Sequence, residues 1–432
     1  MRRVGIFLEY GIELGFYSSL YFWVQFPNYP LYFQTIGAFV AIFFWILKSI
    51  VEKRIVYKHF PWNIWILLLN VTIWLTVIWS INRTQSIFYN LVFTAGSIYM
   101  VLLSSCFHSK AQVIRLVSFL LLVSTYFALK AIVPNLPSFV QNFRSGASLV
   151  DKILFRTSQY TRIKSSMGDA NSVGGLYAVL ISFLLPFLLF GFRSKPLAIE
   201  QSTQGKMDTN PDDKNVEGSS GCNTERGVDQ KHGSIKRFRF WVFLGKFVAQ
   251  IIGWAICGIF TLALLMSASR GALFGLVFSL LLVYLVQNRL ATNINYLLLL
   301  LTSSLLPSFQ FFMYSLYAVI VDETRYVIYQ NAIELAKIVP FMGIGMGNFA
   351  KAYWYYFHEE FNHAHNIFIN TAVELGIPGV IFFTLLGGSF VYYGILYTLR
   401  QRGKDPFYYA VNLGLTSLVF GFLVRCLVDY TI

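Results

Sequence analysis

The residues best suited to chemistry in this 432-residue chain are a few histidines and arginines. His363-Ala-His365-Asn366 sets two imidazoles two positions apart, ahead of Ile-Phe-Ile-Asn-Thr-Ala-Val-Glu374-Leu-Gly-Ile-Pro378. Histidine is the usual general base near neutral pH, because its own charge changes there. The dipeptide His365-Asn366 opens a short helix that ends at Gly376 and Pro378, which would hold an imidazole at the membrane–water boundary. Arg270, in Ser269-Arg270-Gly271, stands between two apolar runs with almost no loop, and Gly271 lets a ligand or another backbone come close. Arg162 precedes Gly168-Asp-Ala-Asn171, where Asp169 or Asn171 can cap a helix whose free N–H groups favour an anion. Arg325 opens a stretch to Lys337 with amphipathic helical spacing, and Pro340 then stops it. Gly343, Gly345 and Gly347 follow as a close-approach loop; Gly-Ile-Gly-Met-Gly follows no strand and is not the dinucleotide fingerprint. Plainer roles fit the same residues: an arginine that marks a helix end, a cap beside a solvated basic loop, a polar interfacial histidine. His358, His363 and His365 stand five and two residues apart, which matches no helical metal motif, so no metal is expected.

The elements that must position these residues are apolar helices. Charged residues make up 12% of the chain, about half the share in an ordinary soluble domain. That is too little charge to cover a water-soluble globule, and it excludes a soluble enzyme and a disordered protein. Four cysteines lie far apart with no CxxC, so no disulfide framework or zinc site is signalled. Apolar stretches long enough to cross a bilayer recur from 4–25 to 407–430, with 86–107, 171–192, 271–288, 294–319 and 378–399 among them. Backbone in lipid must satisfy itself, so these are helices, and the fold expected is all-α: a polytopic membrane protein with about 11–12 transmembrane helices and a periplasmic helical subdomain.

With the N-terminus inside, the inner loops collect Arg2 and Arg3, Lys53, Arg54 and Lys58, Lys110 and Arg115, Arg289, and Arg400, Arg402 and Lys404. Most of the formal +14 charge is therefore a topology signal, and nucleic acid is not an expected partner. The expected division is 1–192, N-terminal transmembrane helices with an outer-face loop at 134–170; 193–239, a polar disordered cytoplasmic loop; 240–319, central transmembrane helices; 320–377, the outer helical segment with the active site; and 378–432, C-terminal transmembrane helices. Arg144, Lys152, Arg156, Arg162, Lys164, Arg325, Lys337 and Lys351 fall on the outer side, against the positive-inside bias, which points to an anionic ligand there.

The motifs in order resemble the O-antigen ligase/polymerase superfamily of bacterial membrane glycosyltransferases. They are Trp79-Ser80, Arg162 to Gly-Asp-Ala-Asn171, Ser269-Arg270-Gly271, Arg325 to Pro340-Phe-Met-Gly-Ile-Gly-Met-Gly-Asn-Phe349, and His363-Ala-His-Asn to Glu374-Leu-Gly-Ile-Pro-Gly379. The resemblance covers roughly Trp79 to Asp429. It implies an undecaprenyl-diphosphate-linked glycan as donor, and lipid A-core or another glycan as acceptor at the periplasmic face of the inner membrane. Arg162, Arg270 and Arg325 would hold the diphosphate, and His365, or else His363, would be the base. Asn171, Asn366 and Glu374 would support them. A metal-independent, inverting transfer without cofactor follows, in contact with membrane lipids. O-antigen ligase is the first expectation, because 320–377 carries the Gly-rich, double-His form; an O-antigen or exopolysaccharide polymerase is the alternative. A lipid-linked sugar flippase is the alternative from another class, but the notable charges gather at one interface and no internal repeat is visible. Family members commonly carry twelve spans, so a final helix is expected to be missing after Leu427 to Tyr430, or two upstream spans to be merged.

Overall fold

The computed structural model describes residues 2–25, 32–55, 57–107, 109–144, 170–191, 225–267, 269–288 and 323–427. Among them every regular element is a helix: α1 (Arg2–Gln25), α2 (Tyr32–Val51), α3 (Asn63–Thr76), α4 (Arg83–Cys106), α5 (Lys110–Arg144), α6 (Ala170–Pro186), α7 (Glu225–Ser267), α8 (Arg270–Gln287), α9 (Glu323–Ile338), α10 (Phe349–Phe357), α11 (Ile367–Gln401) and α12 (Pro406–Arg425). Among the described residues, six helical stretches are long and apolar enough to cross a membrane: Arg83–Cys106, Lys110–Gln141, Asn171–Gly191, Leu244–Ser267, Ile367–Gln401 and Pro406–Arg425. Every expected span falls on a helix except 294–319, which lies outside the described residues.

Two boundaries differ from the expectation. Helix α5 continues through Pro134 and Pro137 to Arg144, into the stretch read as an outer loop. Each proline removes only one N–H from the ladder, and a helix already running through an apolar span tolerates that locally. Helix α7 begins at Glu225, inside the stretch read as a polar loop. Low apolar content argues against a core, but Glu, Arg, Gln and Lys are good helix formers and extend a helix nucleated by the following span.

The helix bundle packs through small residues and hydroxyls, as expected where lipid is no less apolar than leucine. Helices α8 and α12 cross at Gly275 and Gly421, where a Cβ on Gly275 would stand 2.6 Å from the Gly421 carbonyl oxygen. Ser279 donates to Ser182 at 2.5 Å, and Ser417 donates to the Ser182 carbonyl at 2.8 Å, so α6, α8 and α12 are pinned to one another. A core of Tyr177, Leu180, Leu184, Phe260, Leu264 and neighbours fills the space between α5, α6, α7 and α8.

Residues 323–375 form a cap with its own core of Ile328, Ala332, Leu335, Phe349, Ala352 and Tyr353, joined by Ala364 and Val373. The cap meets the bundle at a break inside α11. Gly376 has φ +70° and ψ −172°, which separates helical stretches 367–375 and 377–401. Past the break, the Ile377 N–H bonds the Pro340 carbonyl at 2.7 Å, so the cap's own hairpin stitches the joint. Only glycine occupies that backbone region readily, and a Cβ here would also stand 2.6 Å from the Phe341 carbonyl carbon and oxygen. Gly376→Ala is expected to destabilise the joint by about 1–3 kcal/mol, read as a lower unfolding temperature of detergent-purified protein; an unchanged temperature would show that the joint carries no strain.

Candidate active site

The glycine loop is built against the start of α4. Gly343, Gly345 and Gly347 have φ of +64°, +90° and +78°. Gly345 lies on the Ser80 and Ser86 hydroxyls, where a Cβ would approach both to within 2.6 Å. The fully buried Asn348 gathers the same groups: its amide donates to Ser86 at 2.8 Å, to Ser80 at 3.0 Å and to the Gly345 carbonyl at 3.1 Å. The Gln85 amide donates to the Gly347 carbonyl at 2.6 Å, and the Ile81 N–H to the Ile344 carbonyl at 3.2 Å. This knot explains why Trp79-Ser80 belongs with the distant motifs: the turn between α3 and α4 is the floor of the loop.

Glu374 closes the loop from the other side. It is buried, and its carboxylate accepts the Phe349 N–H at 3.0 Å. The N–H groups of Gly347 and Asn348 and the side chain of Asn370 also interact with it. Backbone bonds run alongside: the Ile344 N–H to the Val373 carbonyl at 3.0 Å, and the Gly345 N–H to the Glu374 carbonyl at 2.9 Å. One carboxylate thereby absorbs the free donors at the start of α10.

The histidine turn is held on all sides. His365 takes φ +51°, the left-handed conformation that only a few non-glycine residues adopt. Its N–H donates to Nδ1 of His363 at 3.4 Å, and the two imidazoles lie edge to face with centroids 4.3 Å apart. The Tyr329 hydroxyl donates to the His365 carbonyl at 3.1 Å. Asn366 caps α11 by accepting the N–H groups of Phe368 at 2.9 Å and Ile369 at 3.2 Å. The Asn366 amide donates to the Leu427 carbonyl at 2.9 Å, and the Ile367 N–H to the Cys426 carbonyl at 2.9 Å. Both imidazoles remain partly exposed. A cleft of about 400 Å³, lined by Val327, Glu359, Glu360 and Phe361, opens on the same cap.

The arginines divide. Arg325 is half-buried in the first turn of α9, four residues before Tyr329, so it shares a helix face with the residue that grips His365. Arg270 is the first residue of α8, just after Ser269, whose hydroxyl accepts the Ala272 N–H at 3.4 Å as the helix cap. Arg162 lies outside the described residues. Asn171 stands in the first turn of α6, and Gly174 one turn on abuts Ser267 and Ser269. The starts of α6 and α8 therefore meet, and the starts of α6 and α11 both bond the end of α12. Aligned peptide dipoles leave positive partial charge at helix N-termini, so the paired starts of α6 and α8 favour an anion, while the start of α11 faces the carbonyl end of α12. Among the described residues, no group of three or more His, Cys, Asp or Glu side chains is placed to hold a metal.

Some members of this arrangement are not evident in the sequence. Asn348, Ser86 and Tyr329 act through partners distant along the chain and carry no local signal. Arg425 is a charge at the end of an apolar run, buried to 4% exposure, and its Nη2 donates to the Asn171 carbonyl at 2.7 Å. Its local setting resembles that of Arg270, a charge at the edge of an apolar span, but its partner is distant along the chain.

Residues 255–384 match the family model of the O-antigen ligase, a range that runs from α7 into α11 and holds Arg270, Arg325, His363, His365 and Glu374. No curated protein matches the chain. With that match at its centre and apolar helices on both sides of it, the chain is a multi-pass membrane protein that carries an O-antigen ligase family domain over residues 255–384, which supports the resemblance to the O-antigen ligase/polymerase superfamily.

Proposed function

We propose that the protein is a glycosyltransferase that moves a glycan from an undecaprenyl-diphosphate carrier to an acceptor hydroxyl at the periplasmic face of the inner membrane, as an O-antigen ligase acting on lipid A-core. The observation that carries this reading is the His365 turn, a partly exposed histidine whose backbone is held by Tyr329 of α9 and, through Asn366 and Ile367, by the end of α12. In the transfer, the acceptor oxygen attacks the anomeric carbon as its proton passes to His365. The bond from that carbon to the diphosphate oxygen breaks, and the electron pair leaves with the diphosphate. Attack opposite the leaving group inverts the anomeric centre. Arg270, Arg325 and Arg162 neutralise the departing charge; arginine stays protonated and pairs phosphate oxygens two at a time. The helix starts add fixed dipoles of the same sign, and this electrostatic help takes the place of a metal. His363 accepts the backbone N–H of His365 and so sets its ring rather than taking the proton itself.

The reading is tested with purified protein in nanodiscs, lipid-linked donor and acceptor. Arg270→Ala is expected to lower the transfer rate by about 10²–10³-fold, the scale of losing one group that stabilises transition-state charge. Full activity in that variant would remove Arg270 from the site. Movement of lipid-linked glycan between leaflets without formation of a glycosidic bond would replace the reaction with transport. A deletion strain separates the two acceptors. Long lipid-linked chains that never reach the core mark a lost ligase, and single repeats on the core mark a lost polymerase.

A further inference from the structure

Residues 425–427 follow one another at the end of α12, and between them they hold two walls of the site. Arg425 donates to the Asn171 carbonyl in the first turn of α6. The Cys426 carbonyl accepts the first N–H of α11, and the Leu427 carbonyl accepts the amide of its cap, Asn366. The anion side of the site and the base side are thus tied to one three-residue segment.

The fit around Arg425 is close. Its guanidinium lies directly on Gly175 of α6, where any side chain would run into Nη1 and Cζ. Its Cβ lies on Gly275 of α8, 2.9 Å from where a Cβ of that residue would stand. Gly174 meets Ser269, the cap of α8, so the first two turns of α6 are held between that cap and the arginine. A plainer role exists: a cation in the last turn of α12 offsets the negative end of that helix's dipole. Dipole compensation, however, needs only charge. It does not need a donor reaching the carbonyl of another helix, or glycine under the guanidinium.

We propose that Arg425 is a positioning residue that sets the spacing between the diphosphate end of the site and His365. It does so by clamping the first turn of α6 to the segment that also holds the His365 turn. The proposal rests on the glycosyltransferase reading above. It concerns geometry, not contact with substrate, because Arg425 is buried.

The test compares Arg425→Lys, Gly175→Ala and the double variant in nanodiscs, with kcat measured for glycan transfer and undecaprenyl diphosphate used as a competitive inhibitor. Lysine keeps the charge but loses the planar fork, while Gly175→Ala keeps the arginine and displaces it. Both are expected to remain folded and to lower kcat roughly 10–100-fold, the cost of a misplacement of about 1 Å. Inhibition by undecaprenyl diphosphate is expected to stay within about threefold of wild type, since each half of the site is intact. The double variant is expected to be no worse than the poorer single one, because both break the same contact. Gly258→Ala, where a Cβ meets nothing within 4 Å, serves as the control at wild-type rate. A wild-type kcat in Arg425→Lys would leave only the dipole role and overturn the clamp. Additive losses in the double variant, or loss of folded protein in both single ones, would overturn it as well. Wild-type protein that forms no glycosidic bond would instead sink the reaction on which the clamp depends, so the two failures are distinguishable.

Discussion

His365→Ala is expected to lower the rate of glycan transfer by about 10²–10⁴-fold, the usual contribution of a positioned general base. The protein should otherwise remain assembled, because the turn is anchored by the His365 carbonyl and by Asn366, not by the His365 ring. Alanine alone would confound two effects, since His365 sits at φ +51° and alanine tolerates that region poorly. The variant His365→Asn separates them: asparagine accepts the left-handed conformation but does not take up a proton near neutral pH. Both variants are therefore expected to be inactive, with His365→Asn closer to wild type in thermal stability. His363→Ala is expected to cost less, because it removes the acceptor of the His365 N–H and the ring against it while leaving the base. Comparable transfer by His365→Asn and wild type would remove the base from His365, and a larger loss in His363→Ala would move the role to its neighbour.

Glu374→Ala is expected to be the most destabilising single change in the cap. The carboxylate is buried and serves the Phe349 N–H, with the N–H groups of Gly347 and Asn348 beside it. Alanine would leave the Phe349 N–H without its acceptor in a place closed to water. An unsatisfied buried donor costs about 1–3 kcal/mol. That loss falls on the knot of Ser80, Ser86, Gly345 and Asn348, so the cap should loosen from the turn between α3 and α4 before the bundle unfolds. Limited proteolysis near residues 339–348 reports such loosening directly. Glu374→Gln keeps one carbonyl acceptor and is expected to lie between alanine and wild type. A cap as resistant to protease in Glu374→Ala as in wild type would show that Glu374 does not hold the loop.

How far the sequence reaches into this structure depends on the distance over which a signal acts. Continuous apolar runs state helices by themselves, because backbone in lipid has no other outlet, and the helical membrane class follows from them. Asn366 as a helix cap and the break before Pro378 are equally local: a cap residue, a glycine and a proline within a few positions. The order of motifs places Trp79-Ser80 in one constellation with the glycine loop but does not say that Ser80 and Ser86 lie under Gly345. That fact depends on pairing residues about 260 positions apart, as in the Asn348 to Ser86 bond. Arg425 escapes notice for a related reason. Its meaning comes from Asn171 and Gly175, on a helix 254 residues earlier by the Arg425 to Asn171 bond, and at the end of an apolar run it looks like an ordinary boundary charge. The start of α7 shows the opposite limit, where a polar stretch with Gly227 and Gly233 carries no local helix signal and extends a helix set by the apolar span that follows.

The bond from Asn366 to the Leu427 carbonyl has a consequence for how the protein is made. The partners are 61 residues apart, and the turn that carries His365 leaves the ribosome well before the segment that pins it. At a synthesis rate of about 5–20 residues per second, the nascent chain spends roughly 3–12 s with the histidine turn complete in sequence but lacking its final tether. Maturation of the active centre is therefore coupled to insertion of the last described helix: a chain that stalls or is cut short before α12 would hold the chemical groups without the frame that aligns them.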